Sequence, residues 1–151
     1  LLAQWPELLD RLGPECLITP HPLEFSRLTG RPVAEIEGNR IQAAREFAQR
    51  TGALVLLKGS RTVVAAPDGR FYVNHTGNSG LAKGGSGDVL SGIIGGLLAW
   101  DVPPLLAART GAYVLGRSAE FSRVNALAHL PDDIMHCIPL AFDELQGVMR
   151  L

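Results

Sequence analysis

The 151-residue sequence is poor in several features, and each shortage excludes a class of protein. It has only two cysteines, Cys16 and Cys137, which lie far apart and lack metal-ligand spacing. Neither a disulfide framework nor a zinc site is therefore predicted, and both are expected to be reduced thiols of a cytoplasmic protein. A formal net charge of −1 gives no reason to expect nucleic acid or an anionic membrane as a partner. The longest apolar stretch, residues 89–100, is too short to span a bilayer.

Short apolar runs alternate with helical patterns along the chain. The runs at residues 16–19 and 53–57 have the length of buried strands, and residues 62–66 and 70–74 flank a turn typical of a β-hairpin. Apolar residues at helical spacing predict helices over residues 2–12, 41–52, 89–98 and 105–119, and the apolar residues 140, 142, 145 and 148 close the chain. A further short helix over residues 22–29 is predicted from Pro22 at its start and Gly30 just past its end. This alternation predicts an α/β fold with a mostly parallel sheet, and the helix from Val89 is expected to be buried in its centre.

A glycine-rich segment, NHTGNSGLAKGGSGDVL (residues 74–90), leads directly into one of these predicted helices. Such a turn directs several unpaired N–H groups at one point, which predicts an anion site. The carboxylate of Asp88 would repel a bound phosphate, so it is better interpreted as a base beside a transferring phosphoryl group. The residues leave open a plain loop with Ser86 or Asp88 as N-cap. They do not match a Walker motif, because Lys83 precedes the glycines GGSG.

Three motifs resemble those of the NAD(P)H-hydrate dehydratases, repair enzymes with a ribokinase-like fold. The first joins NHTGN (residues 74–78) to LAKGGSGDVLSGIIG (residues 81–95). The second is TPHPLE (residues 19–24), with Leu23 where the family has glycine, and the third is LKGSRT (residues 57–62). The resemblance implies a ribokinase-like three-layer α/β/α sandwich, with a mostly parallel sheet and a β-hairpin. Residues 1–151 would be the C-terminal part of one such domain.

The resemblance also implies an activity, a nucleotide-dependent lyase that returns (6S)-NADHX and (6S)-NADPHX to NADH and NADPH. ADP or ATP would be the cosubstrate, with Mg²⁺. The substrate hydroxyl would attack the terminal phosphoryl group, Asp88 would accept the proton, and phosphate would then leave. The residues implied as anion hole are Gly85, Ser86 and Gly87. Those implied as nucleotide contacts are Lys58, Gly59, Ser60, Arg61, Thr62 and Gly87. His21, Asn78 and Asp88 are implied as substrate contacts, and no protein metal ligand is assigned.

The partners expected from the resemblance are these small molecules, a further copy of the chain in a homo-oligomer, and a fused or paired NAD(P)HX epimerase. Two other functions stay open from the sequence. One is a ribokinase-like kinase of a small molecule such as a vitamin precursor. The other is a nucleotide-binding module that is inactive as a fragment.

Overall fold

A computed structural model describes residue 2 and residues 4–149 of the chain. The chain divides into two units, Leu1–Asn74 and His75–Leu151. Residues 1, 3, 150 and 151, which the predicted domain boundaries include, lie outside the described residues.

The first unit carries a four-stranded sheet. Its strands are β1 (Leu17–Ile18), β2 (Leu54–Leu57), β3 (Val63–Ala65) and β4 (Phe71–Val73), in the order β1-β2-β3-β4. Its helices are α1 (Pro22–Thr29), α2 (Val33–Gly38) and α3 (Arg40–Thr51), after a 3₁₀ helix at Pro6–Arg11. Strands β1 and β2 are parallel, with Leu17 opposite Leu54. The pairs β2–β3 and β3–β4 are antiparallel, with Leu57 opposite Val63 and Val63 opposite Val73.

The strands and helices of the first unit agree with the predicted α/β class, but two details differ. The sheet among the described residues is mixed rather than mostly parallel, because the predicted hairpin supplies two neighbouring strands. The element predicted as a helix over residues 2–12 is a 3₁₀ helix that begins at Pro6, a residue suited to the first helical position.

Side chains of α1 and α3 meet over the sheet in the core of the first unit. The rings of Phe25 and Phe47 lie 5.1 Å apart at 59°, a tilted arrangement favoured by aromatic quadrupoles. Every residue of β2 is buried, as expected of a continuous apolar run. Glycine ends both helices in the left-handed conformation, Gly30 at φ +73° after α1 and Gly52 at φ +70° after α3. These glycines confirm the predicted ends of the helices over residues 22–29 and 41–52.

The regular elements described in the second unit are all helices, joined by loops. A 3₁₀ turn at Ser79–Leu81 precedes α4 (Ser86–Ala99), α5 (Pro104–Phe121), α6 (Pro131–Met135) and α7 (Ile138–Met149). Helix α4 packs on α5, where a Cβ at Gly111 would lie 2.5 Å from Ile94 Cγ1. In the described part of the chain no helix is long and apolar enough to cross a membrane.

The prediction that α4 is buried in the centre of the domain is wrong for this chain. Only Ser86, Leu90 and Ile94 are buried along the helix. A glycine-containing stripe is exposed, formed by Ser91, Gly92, Gly95, Gly96 and Ala99, and Leu98 near the end of the helix is exposed as well. The difference arises because α5 covers one side of α4, and the described residues leave the stripe uncovered.

Candidate functional site

His21 lies at the N-cap of α1, between Pro20 and Pro22. Its Nδ1 accepts from the Glu24 N–H at 3.2 Å, and Glu24 Oε2 accepts from the His21 N–H at 2.7 Å. These reciprocal bonds form a capping box, a signal already present in the spacing HPLE. Because Nδ1 accepts, the neutral imidazole carries its proton on Nε2, which lies 3.5 Å from Glu24 Oε1. The exposed ring is therefore held in one orientation at the end of β1.

The turn after β2 brings Lys58 to the same place. The Lys58 N–H donates to the Pro20 carbonyl at 2.9 Å, which joins the two turns through the backbone. Its Nζ lies 3.9 Å from Glu24 Oε2. The structure therefore gathers His21, Glu24 and Lys58 into one cluster, which we call the histidine cluster. Parallel strands place such turns at one edge of a sheet, where ligands of α/β proteins bind.

Four further predicted nucleotide contacts, residues 59–62, belong to the same turn, whereas Gly87 lies in the first turn of α4. Gly59, Ser60 and Arg61 are exposed, and Thr62 Oγ1 donates to the Gly59 carbonyl at 3.2 Å. Sequence reasoning missed Arg40 in α3, whose Nη2 donates to the carbonyls of Leu57 and Lys58 at 3.0 and 2.9 Å. A separation of 17 and 18 residues gave no local signal for this contact.

In the second unit, residues 76–78 of the NHTGN segment are anchored on α5. Asn78 is exposed, but its Oδ1 accepts from the Gly80 N–H at 2.9 Å and its Nδ2 donates to the Ala119 carbonyl at 2.8 Å. The Gly77 N–H donates to Glu120 Oε1 at 2.5 Å. The amide of Asn78 therefore shapes the loop, and its contact with substrate stays a prediction.

Glu120 is itself held by a charged network that sequence reasoning did not find. Arg117 donates to Glu120 and makes a bidentate pair with Glu144, through Nε at 2.7 Å and Nη2 at 2.6 Å. Hydrogen bonds from Arg117 and Tyr113 hold the pKa of the Glu144 carboxyl below its usual range. Burial, together with the bond to Glu144, raises the pKa of the Tyr113 hydroxyl. This network fixes the Gly77 end of the loop.

The predicted anion hole lies at the first turn of α4. The N-cap is Gly85, at φ +90°, and no side chain caps the helix. The N–H groups of Ser86 and Gly87 lack helical partners, because the carbonyls four residues earlier precede the helix. Their direction along the helix axis is suited to an anion, and the helix dipole adds a favourable field. The carbonyl of Gly85 accepts from the Asp88 and Val89 N–H groups at 3.0 and 3.1 Å.

Asp88 is the third residue of α4, so the alternative in which Ser86 or Asp88 is the N-cap is wrong. The exposed carboxylate makes no hydrogen bond or ion pair with any residue that the structure describes. Ser86, in contrast, is 6% exposed, and its Oγ has no hydrogen-bond partner among the described residues. The turn therefore offers backbone donors and one available base.

The described residues contain no group of three histidine, cysteine or carboxylate side chains able to hold a metal. Mg²⁺ needs no such cage, because it is held by one or two carboxylates together with substrate phosphates and water. The backbone N–H groups in the first turn of α4 would hold the phosphates that carry such an ion, so Asp88 stays available as a base. These residues therefore fit a magnesium ion that arrives with a nucleotide.

The sheet with its covering helices and the glycine turn before α4 define a ribokinase-like α/β protein. A ribokinase-like superfamily protein of Enterococcus faecalis superposes with a TM-score of 0.69 at 26% identity. That match covers 95% of this chain and 49% of the other.

Comparison of the amino-acid sequence with known proteins identifies the family. The family model described as NAD(P)H-hydrate dehydratase matches residues 1–140, and the chain belongs to that family. The ADP-dependent (S)-NAD(P)H-hydrate dehydratase of Neisseria meningitidis is 49% identical over 110 residues, which are 73% of this chain and 37% of the relative. The Bacillus subtilis ADP/ATP-dependent enzyme, co-crystallised with ATP/Mg²⁺, superposes with a TM-score of 0.83 at 37% identity. That match covers 89% of this chain and 51% of the other, so the chain spans about half of these relatives or less.

Proposed function

We propose that this chain contributes to the dehydration of NADHX and NADPHX to NADH and NADPH, driven by ADP or ATP. The observation that carries the proposal is the first turn of α4. It combines an uncapped set of N–H groups with the exposed carboxylate of Asp88. Membership of the dehydratase family supports the choice of substrate.

Phosphoryl transfer requires mostly positioning and charge stabilisation, so one base and one anion hole are sufficient. The hydroxyl of the hydrated ring attacks the terminal phosphoryl group of ADP or ATP, the bond to that group breaks so that AMP or ADP leaves, and Asp88 accepts the hydroxyl proton. The N–H groups of Gly85, Ser86 and Gly87 hold the oxygens of the transferred group. Mg²⁺, when bound with the nucleotide, would supply positive charge that offsets the charge of the phosphates. The C–O bond to the phosphate then breaks, the neighbouring ring carbon loses a proton, and the ring double bond returns.

The turn at Lys58–Thr62 is proposed to bind the adenine nucleotide, and His21 the hydrated nicotinamide. Lys58 supports this assignment because its ammonium is only part-exposed and has one carboxylate, Glu24, near it at 3.9 Å. The cation therefore keeps donors for a phosphate. Arg40 supports it as well, since it fixes the backbone of the turn through two carbonyls.

We also propose that residues 1–151 act as the C-terminal part of one longer ribokinase-like domain. The exposed glycine stripe of α4 supports this, as does the 37–51% share of the relatives that the chain covers. A homo-oligomer, a cytoplasmic location and a fused or paired epimerase stay predictions.

The test is an assay of NADHX with ADP or ATP, followed by the recovery of NADH absorbance. We use the term complete enzyme for the proposed longer domain that contains this chain. We expect recovery of NADH absorbance with the complete enzyme and little recovery with the isolated 151-residue chain. Phosphorylation of another small alcohol without NADHX turnover would instead identify a kinase. Nucleotide binding without turnover by the complete enzyme would identify a binding module.

A further inference from the structure

The loop before α4, residues 80–85, lies against a distant segment, residues 127–131, at three points. At the first point, a Cβ on Gly80 would overlap the His129 ring, with Cγ at 2.9 Å. In the middle, Lys83 Nζ donates to the carbonyls of Leu127 at 2.6 Å and His129 at 3.1 Å. At the end, a Cβ on Gly85 would lie 2.6 Å from Pro131 Cγ.

The Lys83 contacts are polar and specific. An ammonium has three donors, and two of them are already used on backbone carbonyls. Bonds from a charged donor are roughly twice as strong as neutral ones. Although the side chain is exposed, its charge is committed to the 127–131 segment. Lys83 therefore differs from Lys58, whose ammonium has no carbonyl partner among the described residues.

The His129 contact depends on shape. The ring is 1% exposed, and neither nitrogen has a hydrogen-bond partner among the described residues. It fills the space that a side chain at position 80 would need. A ring of similar size without nitrogen atoms should therefore fill the same space beside Gly80.

We propose that Lys83 and His129 are positioning residues that clamp the 80–85 loop on the 127–131 segment and so fix the first turn of α4. The loop ends at the N-cap Gly85, and the next three residues carry the proposed anion hole and base. Movement of the loop would redirect these N–H groups, and misplacement by about 1 Å can cost on the order of 100-fold in rate. The catalytic consequence rests on the proposed function, whereas the clamp itself does not.

The first test uses Lys83→Met, Lys83→Arg and the exposed control Arg123→Met in the full chain without nucleotide. Amide hydrogen exchange of residues 80–88 should be at least ~10-fold faster in Lys83→Met. Lys83→Arg should restore most of the protection, since it keeps donors for the carbonyls, and Arg123→Met should behave as the unchanged protein. In the complete enzyme, kcat should fall about 10-fold or more in Lys83→Met, with a smaller change in KM.

Unchanged exchange with weaker nucleotide binding would overturn the proposal, because Lys83 would then be a phosphate ligand. If the unchanged protein neither bound nucleotide nor acted on NADHX, the proposed function would fail, while the exchange experiment would still decide whether the clamp exists.

A second pair of variants tests the shape of residue 129. His129→Ala should accelerate amide exchange in residues 80–88. His129→Phe should return the exchange rate to that of the unchanged protein. A folded His129→Phe protein with exchange as fast as His129→Ala would contradict the role assigned to the ring.

Discussion

Two glycine-containing turns, one in each unit, are each held by a cationic side chain that donates to backbone carbonyls, but the turns present different chemical groups. The turn at residues 58–62 is fixed by Arg40, and the loop at residues 80–85 is fixed by Lys83. Each cation donates to two backbone carbonyls. The first turn belongs to a cluster of side chains, His21, Glu24 and Lys58, whereas α4 offers mainly backbone donors and Asp88.

The two cationic side chains differ in burial. The Arg40 side chain is 14% exposed, whereas that of Lys83 is exposed. A carbonyl that loses its donor in a buried place costs more free energy than one that water can reach. The comparison teaches that loss of Arg40 should mainly cost stability, and loss of Lys83 should mainly cost the position of the loop.

The sharpest test of the difference in chemistry is Asp88→Asn in the complete enzyme. Asparagine cannot accept the proton, so kcat should fall by roughly 10²–10⁴. Stability should be near that of the unchanged protein, because the carboxylate makes no hydrogen bond or ion pair with the described residues. Steady-state kinetics and thermal unfolding measure the two effects. Asp101→Asn is the control, since Asp101 is exposed at φ +57°, where asparagine is well tolerated. More than about a tenth of the original kcat in Asp88→Asn would contradict a general-base role.

Arg40→Met tests the more buried cationic side chain. It leaves the carbonyls of Leu57 and Lys58 without their donor, so the free energy of unfolding should fall by about 2–3 kcal/mol. Urea denaturation measures the loss. Arg27→Met, at an exposed position, should change stability by less than ~0.5 kcal/mol. If the two variants were equally stable, burial would not explain the difference between the turns.

Gly85→Ala tests the backbone of the second turn. Its φ of +90° disfavours any L side chain, and the added Cβ would contact Pro131. We expect a loss of about 1–2 kcal/mol in the free energy of unfolding. Gly84→Ala is the matched control, because its Cβ would enter open space and its φ lies outside the positive region. Equal denaturation midpoints for the two variants would show that the loop adapts.

The smallest expected effect concerns the network behind Gly77. The pKa of Glu144 is lowered in the folded state, so its contribution to stability is present above its ordinary pKa, about 4.3, and is lost as pH falls. The pKa of Tyr113 is raised, so its contribution is present below about pH 10 and is lost as pH rises. Glu144→Gln should lower stability at pH 7 by about 1 kcal/mol and flatten the acid limb between about pH 5 and 3. Denaturation midpoints across pH measure both, and an unchanged acid limb would mean that the network contributes nothing there.

Local patterns predicted much of the fold. Pro22 and Gly30 bounded α1, Gly52 ended α3, and the Pro-Asp-Gly turn gave the antiparallel β3–β4 pair. These features depend on backbone preferences of a few neighbouring residues, which act in any context. Helix α4 was also located correctly, although it begins at Ser86, three residues before its apolar pattern.

The contacts made between these elements could not be predicted from local sequence patterns. The sequence GGSGD by itself placed glycines and an acid before a helix, but only the structure showed that Gly85 is the N-cap and that Asp88 has no partner among the described residues. Arg40, Lys83, Glu120 and His129 act on residues 17–49 positions away. Contacts at that separation depend on how the chain packs and leave no periodic mark in the sequence. The apolar pattern of α4 likewise stated which residues avoid water, whereas the face that is covered was decided by the helices packed against it.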